Sequence, residues 1–308
     1  MRHKTPLLLA LLAGTTAYFG LHWPGARDAR GDSRDGSTAR AAPAAASPDS
    51  GRARSSQMLR TAHYAITSTA TRAQTAQVAA AVEHLHDAYS AFFRDAIPPN
   101  AGATGLQLVL YRDRAEFQSR SRSSPWAEAY YLQPVCHAYY ADGANPYHWM
   151  LHEATHQLNR ELAGFPRAVW IDEGLASYFG ASRIENGVLK PGTIDVGAYP
   201  IWWLPELALS GDLQDDLRKG RILSLHEIIT SRRGDIGRSV NPHYIGYWSL
   251  THFLFEYRDG HYAAAYRQLI ARGGSLDDFE RLIGPVERVQ GEWYAYLQQR
   301  IGEVRAGR

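Results

Sequence analysis

An α+β fold is predicted, with a small mixed-sheet N-lobe leading into a mainly helical C-lobe. Three observations carry this. Short runs rich in β-branched and aromatic residues fall before about residue 141, three- and four-residue apolar periodicity dominates after Pro146, and no internal repeat or second linker separates the two parts.

Taken in order, "MRHK" gives a basic start and "TPLLLALLAGTTAYFGL" an apolar run too short for an ordinary spanning helix. Residues 1–22 are expected to be an export signal, either cleaved near the small pair Thr15 and Ala17 or retained as an N-terminal membrane anchor. Residues 23–57 are rich in Ala, Pro, Ser and Arg with almost no large apolar side chain, so they read as a disordered linker that cannot bury enough surface to offset ordering. One composite domain is expected over 58–308.

Within it, "HYAITST" alternates like a half-buried strand, and "TRAQTAQVAAAVEHLHDAYSAFFRDAI" follows as a long helix. Val78, Val82, Leu85, Tyr89, Phe92 and Ala96 mark its apolar face, and "IPPN" stops it. His84 and His86, two apart, point to different faces and make no metal pair, so both are expected to be ordinary helix histidines. "GLQLVLY" reads as a strand, "RDRAEFQSR" as a short helix, and "AEAYYL" and "VCHAYY" as two more strands. From "YHWMLHEATHQLNREL" onward the apolar patterns read as helical.

The chain has 308 residues, 45% hydrophobic and 21% charged, which is ordinary globular composition. Thirty-three Lys and Arg stand against 31 Asp and Glu, and the formal charge of +2 gives no field to attract nucleic acid. Cys136 is the only cysteine, so no intrachain disulfide forms, and a small buried hydrophobe is its expected role.

The chemistry concentrates in "WMLHEATHQL". Residues four apart on a helix share a face, so His152 and His156 can bring two imidazole nitrogens to one ion, and Glu153 lies beside that face to take a proton from water. Three fixed residues recur by chance in roughly a few per cent of chains, so the pattern alone is weak. Its apolar setting and a third acid strengthen it. After the turn "LAGFPRA", the next helix, "AVWIDEGLASYF", offers Glu173 in the stripe with Val169 and Ala176, while the adjacent Asp172 faces elsewhere as a capping or supporting acid.

Together "HEATHQL" and "WIDEGLASYF" resemble the peptidase MA-like gluzincins, a clan of zinc metallopeptidases; the resemblance is specific over residues 149–179. Elsewhere the layout is similar to exported bacterial members of uncharacterised function. The resemblance implies a zincin-like fold with the site between the lobes, one Zn2+ ion held by His152, His156 and Glu173, and Glu153 as general base and acid. It also implies a hydrogen-bond donor to the oxyanion from a later helix. "HYIGYWSL" offers Tyr244, the first choice because it precedes a Trp-x-Leu-x-x-Phe-Leu pattern, with Tyr247 and His243 as alternatives. An edge strand before the motif helix is implied too, and "PVCHAYYAD" is the candidate. His137 and His148 flank the region and are expected to be ordinary surface or core histidines.

The expected function is zinc-dependent hydrolysis of peptide bonds in a peptide or protein substrate by an exported enzyme that is periplasmic, secreted or tethered. Absence of the aminopeptidase pattern G-x-M-E-N leans toward an endopeptidase. The alternative is an exported zinc-binding protein without turnover that serves binding or assembly. "YPIWWLPEL", residues 199–207, is left open between a cleft wall, a partner surface and packing between lobes.

Overall fold

The computed structural model describes residues 56–307 apart from 100, 102–104, 121–127, 142, 144 and 238. The export segment and all but the end of the linker lie outside the described residues. Among those described, no helix is long and apolar enough to cross a membrane.

The N-lobe holds β1 (Gln57–Arg60), β2 (Tyr64–Ser68), α1 (Arg72–Phe92), β3 (Leu106–Tyr111), α2 (Arg114–Arg120), β4 (Ala129–Leu132) and β5 (Val135–Tyr139). The five strands form one sheet in the order β1-β2-β3-β5-β4. The β2/β3 and β3/β5 pairs are parallel, and the outer pairs are antiparallel. Side chains alternate between its faces. Ile66, Leu108, Cys136 and Tyr131 fall in one register row and are buried. Phe117 of α2 packs instead on Tyr111, Tyr130 and Tyr139 of the opposite face.

The predicted mixed α+β class is the observed one. α1 begins with a Thr71–Gln74 capping box, in which each side chain satisfies the other's backbone N–H. It ends at Phe92, earlier than expected: Ala96 is exposed beyond it, and Phe93 is the residue whose ring enters the core. The sheet also gains β1, whose first residue falls at the end of the expected linker.

The C-lobe opens with α3 (His148–Gln157), which continues through a π-helical turn (Leu158–Leu162). α4 (Val169–Gly180) follows. Then comes a hairpin the helical reading missed, β6 (Ser182–Glu185) and β7 (Val188–Ile194). Its two-residue loop is Asn186-Gly187, both at positive φ (52° and 75°), the backbone that a tight hairpin turn requires. A 3-10 helix (Ile201–Glu206) precedes α5 (Leu213–Arg218), α6 (Leu225–Thr230), α7 (Arg233–Ile236), α8 (Val240–Glu256), α9 (Ala263–Arg272), α10 (Leu276–Leu282) and α11 (Val286–Ala306).

α8 is the axis of this lobe and is buried without a break from His243 to Phe255. α4 lies between α3 and α8, and two glycines set how closely it approaches them. A methyl carbon on Gly174 would collide with Thr251 Oγ1 and stand 3.0 Å from the Tyr247 carbonyl oxygen; one on Gly180 would stand 3.3 Å from His152 Cα. Gly174→Ala is therefore expected to cost about 1–3 kcal/mol, read as a lower denaturation midpoint, because the obstruction includes the α8 backbone.

Candidate metal centre

α3 and α4 bring His152, His156 and Glu173 into one buried group whose donor atoms lie within 4.8 Å of one another. The two histidines are one helical turn apart on α3. Glu173 comes from the face of α4 turned toward them, after the chain reverses through Gly164 at φ 65°. His152 Nε2 lies 3.2 Å from His156 Nε2 and 3.5 Å from Glu173 Oε2, which is 3.7 Å from His156 Nε2. A point equidistant from three atoms so placed lies about 2.0 Å from each, the length of a transition-metal bond to imidazole nitrogen or carboxylate oxygen. Glu173 Oε2 is buried with no protein hydrogen-bond partner. A lone acceptor aimed at two imidazole nitrogens is what a cation would satisfy.

Asp172 does not join this triangle. Its Oδ1 stands 3.1 Å from His156 Nδ1 and accepts from Asn159 Nδ2 at 3.0 Å, while Arg233 Nη2 approaches Oδ2 at 4.0 Å. A carboxylate on Nδ1 fixes the His156 ring and leaves Nε2 to face the cluster. Asp172→Asn is expected to weaken metal affinity about 10- to 100-fold without abolishing binding, as read by equilibrium titration.

The charges are shared within the group. Burial disfavours a charge on His156, but Asp172 and then Glu173 overcome it and hold the metal-free imidazole up to about 10. Burial likewise opposes ionisation of Glu173, yet the His156 charge and the two imidazole nitrogens 3.5 and 3.7 Å from its Oε2 bring it down to about 2. His152 is lowered by burial.

Glu153 sits beside the cluster and is not one of its three donors. Burial pushes its carboxyl up to about 8 against the opposing His156 charge, with Glu173 and Asp172 adding to the rise and the Tyr131 backbone amide restraining it. Its Oε2 is buried without a partner. Behind it, Cys136 donates its Sγ–H to the Glu153 carbonyl oxygen at 3.3 Å, so the lone cysteine is a buried packing residue under α3.

Of the three aromatic candidates on α8, the structure brings Tyr244 to the cluster. Its ring centroid is 6.2 Å from that of His152, and burial followed by the Glu173 carboxylate beside its hydroxyl raises its pKa well above the usual phenol value. Tyr247 is committed elsewhere, with Oη 2.8 Å from Ser231 Oγ, and His243 Nδ1 donates to the Ser239 carbonyl at 2.8 Å. His137 and His148 also stand apart. Burial lowers each to about 4; His148 Nδ1 donates to the Asn145 carbonyl at 2.7 Å, and His137 Nδ1 pairs with the Tyr111 hydroxyl at 3.2 Å.

Three features escaped the sequence reading. Asn159 continues the His152–His156 face at the next turn, so its spacing was a usable signal. Arg233 and the Tyr131 amide arrive through tertiary structure and left none. One expectation is corrected: β5, the strand in "PVCHAYYAD", is interior, paired with β3 on one side and β4 on the other. β4 doubles back outside β5 and takes the edge, and its Tyr131 amide is the strand group that meets the Glu153 carboxylate. The aromatic group around the 3-10 helix packs between α3 and α8, with Tyr199 5.4 Å from Tyr244 and 5.7 Å from Trp149 between ring centroids.

The sequence model of a family described as "Protein of unknown function (DUF1570)" matches residues 149–273. The chain is similar to that family over α3 to α9. That span includes His152, Glu153, His156, Asp172, Glu173 and Tyr244, and leaves out the N-lobe sheet and α11. No curated protein matches the chain.

Proposed function

We propose that the chain is a zinc-dependent metallopeptidase of the gluzincin type, acting on peptide or protein substrates and leaning toward endopeptidase action. The observation that carries this is the triangle of two imidazole nitrogens and one carboxylate oxygen with Glu153 Oε2 unpartnered beside it. Two nitrogens and one oxygen at this spacing favour zinc over calcium or magnesium, which prefer oxygen shells. A structural zinc site closes all four positions with protein groups, whereas this group comprises three among the described residues, which favours catalysis over a purely structural role.

Bound there, zinc supplies a Lewis acid that polarises a carbonyl and acidifies a water molecule. Glu153 takes the proton of the attacking water on Oε2 and delivers it to the leaving amine. Tyr244 keeps its proton because burial and the adjacent carboxylate hold its pKa high, so it donates a neutral hydrogen bond to the carbonyl oxygen as charge develops there. The outward edge of β4 gives an extended substrate backbone a strand to pair with, next to Glu153. Removing the Tyr244 hydroxyl (Tyr244→Phe) is expected to lower turnover about 100-fold with zinc affinity unchanged. The amino-terminal run supports an exported protein, periplasmic, secreted or tethered by that run.

The direct test is cleavage profiling by mass spectrometry on an unbiased peptide library, with zinc and after chelation. Zinc-dependent cleavage at internal bonds is expected. Full zinc occupancy with no cleavage would instead select the binding or assembly reading.

A further inference from the structure

The turn before β2 and the middle of α1 assemble a second group. The imidazoles of His63 and His86 stack with centroids 3.5 Å apart and planes inclined 14°. Glu83 accepts twice from His63, from the backbone N–H at 2.9 Å and from Nδ1 at 2.7 Å. A carboxylate acceptor places the proton on Nδ1, which leaves Nε2 with its lone pair; this is how an outer carboxylate prepares a histidine ligand. His86 is 7% exposed, and neither ring nitrogen has a hydrogen-bond partner. Burial, followed by the neighbouring His63, lowers its pKa and keeps it neutral, the state that ligates. Asp87, on the next residue of α1, is exposed, with Oδ1 4.0 Å from His86 Nδ1. Donor atoms of His63, His86 and Asp87 lie within 4.8 Å of one another.

We propose that His63, His86 and Asp87 form a second site for a divalent transition-metal ion of the zinc class, with Glu83 holding the His63 tautomer. Two nitrogens and a carboxylate oxygen suit such an ion, and water completes the shell from the exposed side. Stacked rings aim their lone pairs side by side, so binding turns one ring out of the stack. His63 is that ring, since its side chain is 29% exposed and Glu83, at 20%, turns with it. The ion then satisfies a buried imidazole that otherwise has no partner, and it clips the β1–β2 turn to α1. None of these residues belongs to the His152 cluster, and the inference stands independently of peptidase activity.

The test is titration of the chelator-stripped full chain with Zn2+ alone, comparing wild type with three variants that melt like it. Wild type is expected to bind one ion more per chain than His63→Ala, whatever the other cluster binds. Asp87→Ala, which alters an exposed side chain, weakens that extra ion at least tenfold. Glu83→Gln weakens it about 10- to 100-fold. Equal stoichiometry in wild type and His63→Ala, or an extra ion whose affinity ignores both Asp87→Ala and Glu83→Gln, would overturn the proposal.

Discussion

Glu153→Ala is expected to retain the metal and lose peptide hydrolysis by about 100- to 10,000-fold, the range a positioned general base supplies. The retained metal follows from geometry, because the converging donors are His152 Nε2, His156 Nε2 and Glu173 Oε2, and Glu153 contributes none of them. The lost activity follows from its surroundings. Burial and two neighbouring carboxylates make it a reluctant anion, held up to about 8, whose Oε2 has no protein partner to compete for a proton. Removing such a group strands no donor on that oxygen but leaves the Tyr131 amide without its carboxylate, so the variant should fold and melt somewhat below wild type. The check pairs zinc titration with kcat/KM on any peptide the wild type cleaves. A variant that binds zinc and keeps full turnover would remove Glu153 from the mechanism.

His156→Ala should do the reverse, abolishing tight metal binding and destabilising even the metal-free chain. Without the imidazolium, Asp172 and Glu173 face each other's charge in a buried setting, a loss of about 3–5 kcal/mol by analogy with broken buried ion pairs. The pH dependence has a defined sign. His156 is raised to about 10, so its contribution is complete below its unfolded value of about 6.5 and disappears as pH climbs through 10. Glu173 is lowered to about 2, so its contribution is complete above about 4.3 and disappears as pH falls through 2. Metal-free wild type should therefore gain most from this pair between about pH 4.3 and 6.5, and His156→Ala should flatten that maximum in chelator-treated melts. Metal uptake should release a proton near neutral pH, because the cation replaces the one on His156.

The cluster was legible in the sequence because its information is local. Four-residue spacing puts His152 and His156 on one face in any helix, and Glu173 needed only one turn and one further helix. Glycines 174 and 180, part of the same run, are legible only afterward, when α8 and α3 are seen to lie against them. Features set by strand order were not legible: nothing in "AEAYYL" or "VCHAYY" says which lies outside the other, so the edge was assigned to β5 when β4 holds it. The β6/β7 hairpin is a different failure. Its Asn-Gly turn was present in the sequence, but the helical periodicity on either side hid it. His63 and His86 lie 23 positions apart in sequence, and only the packing of α1 against the sheet stacks them.

The most direct test of the metal centre is anomalous diffraction at the zinc edge from crystals of the zinc-loaded chain. The expected result is a peak bonded to His152 Nε2, His156 Nε2 and Glu173 Oε2 at about 2.0–2.2 Å, with a water in the fourth position on the Glu153 side. No peak among these three residues, or a fourth protein ligand closing the shell, would contradict it.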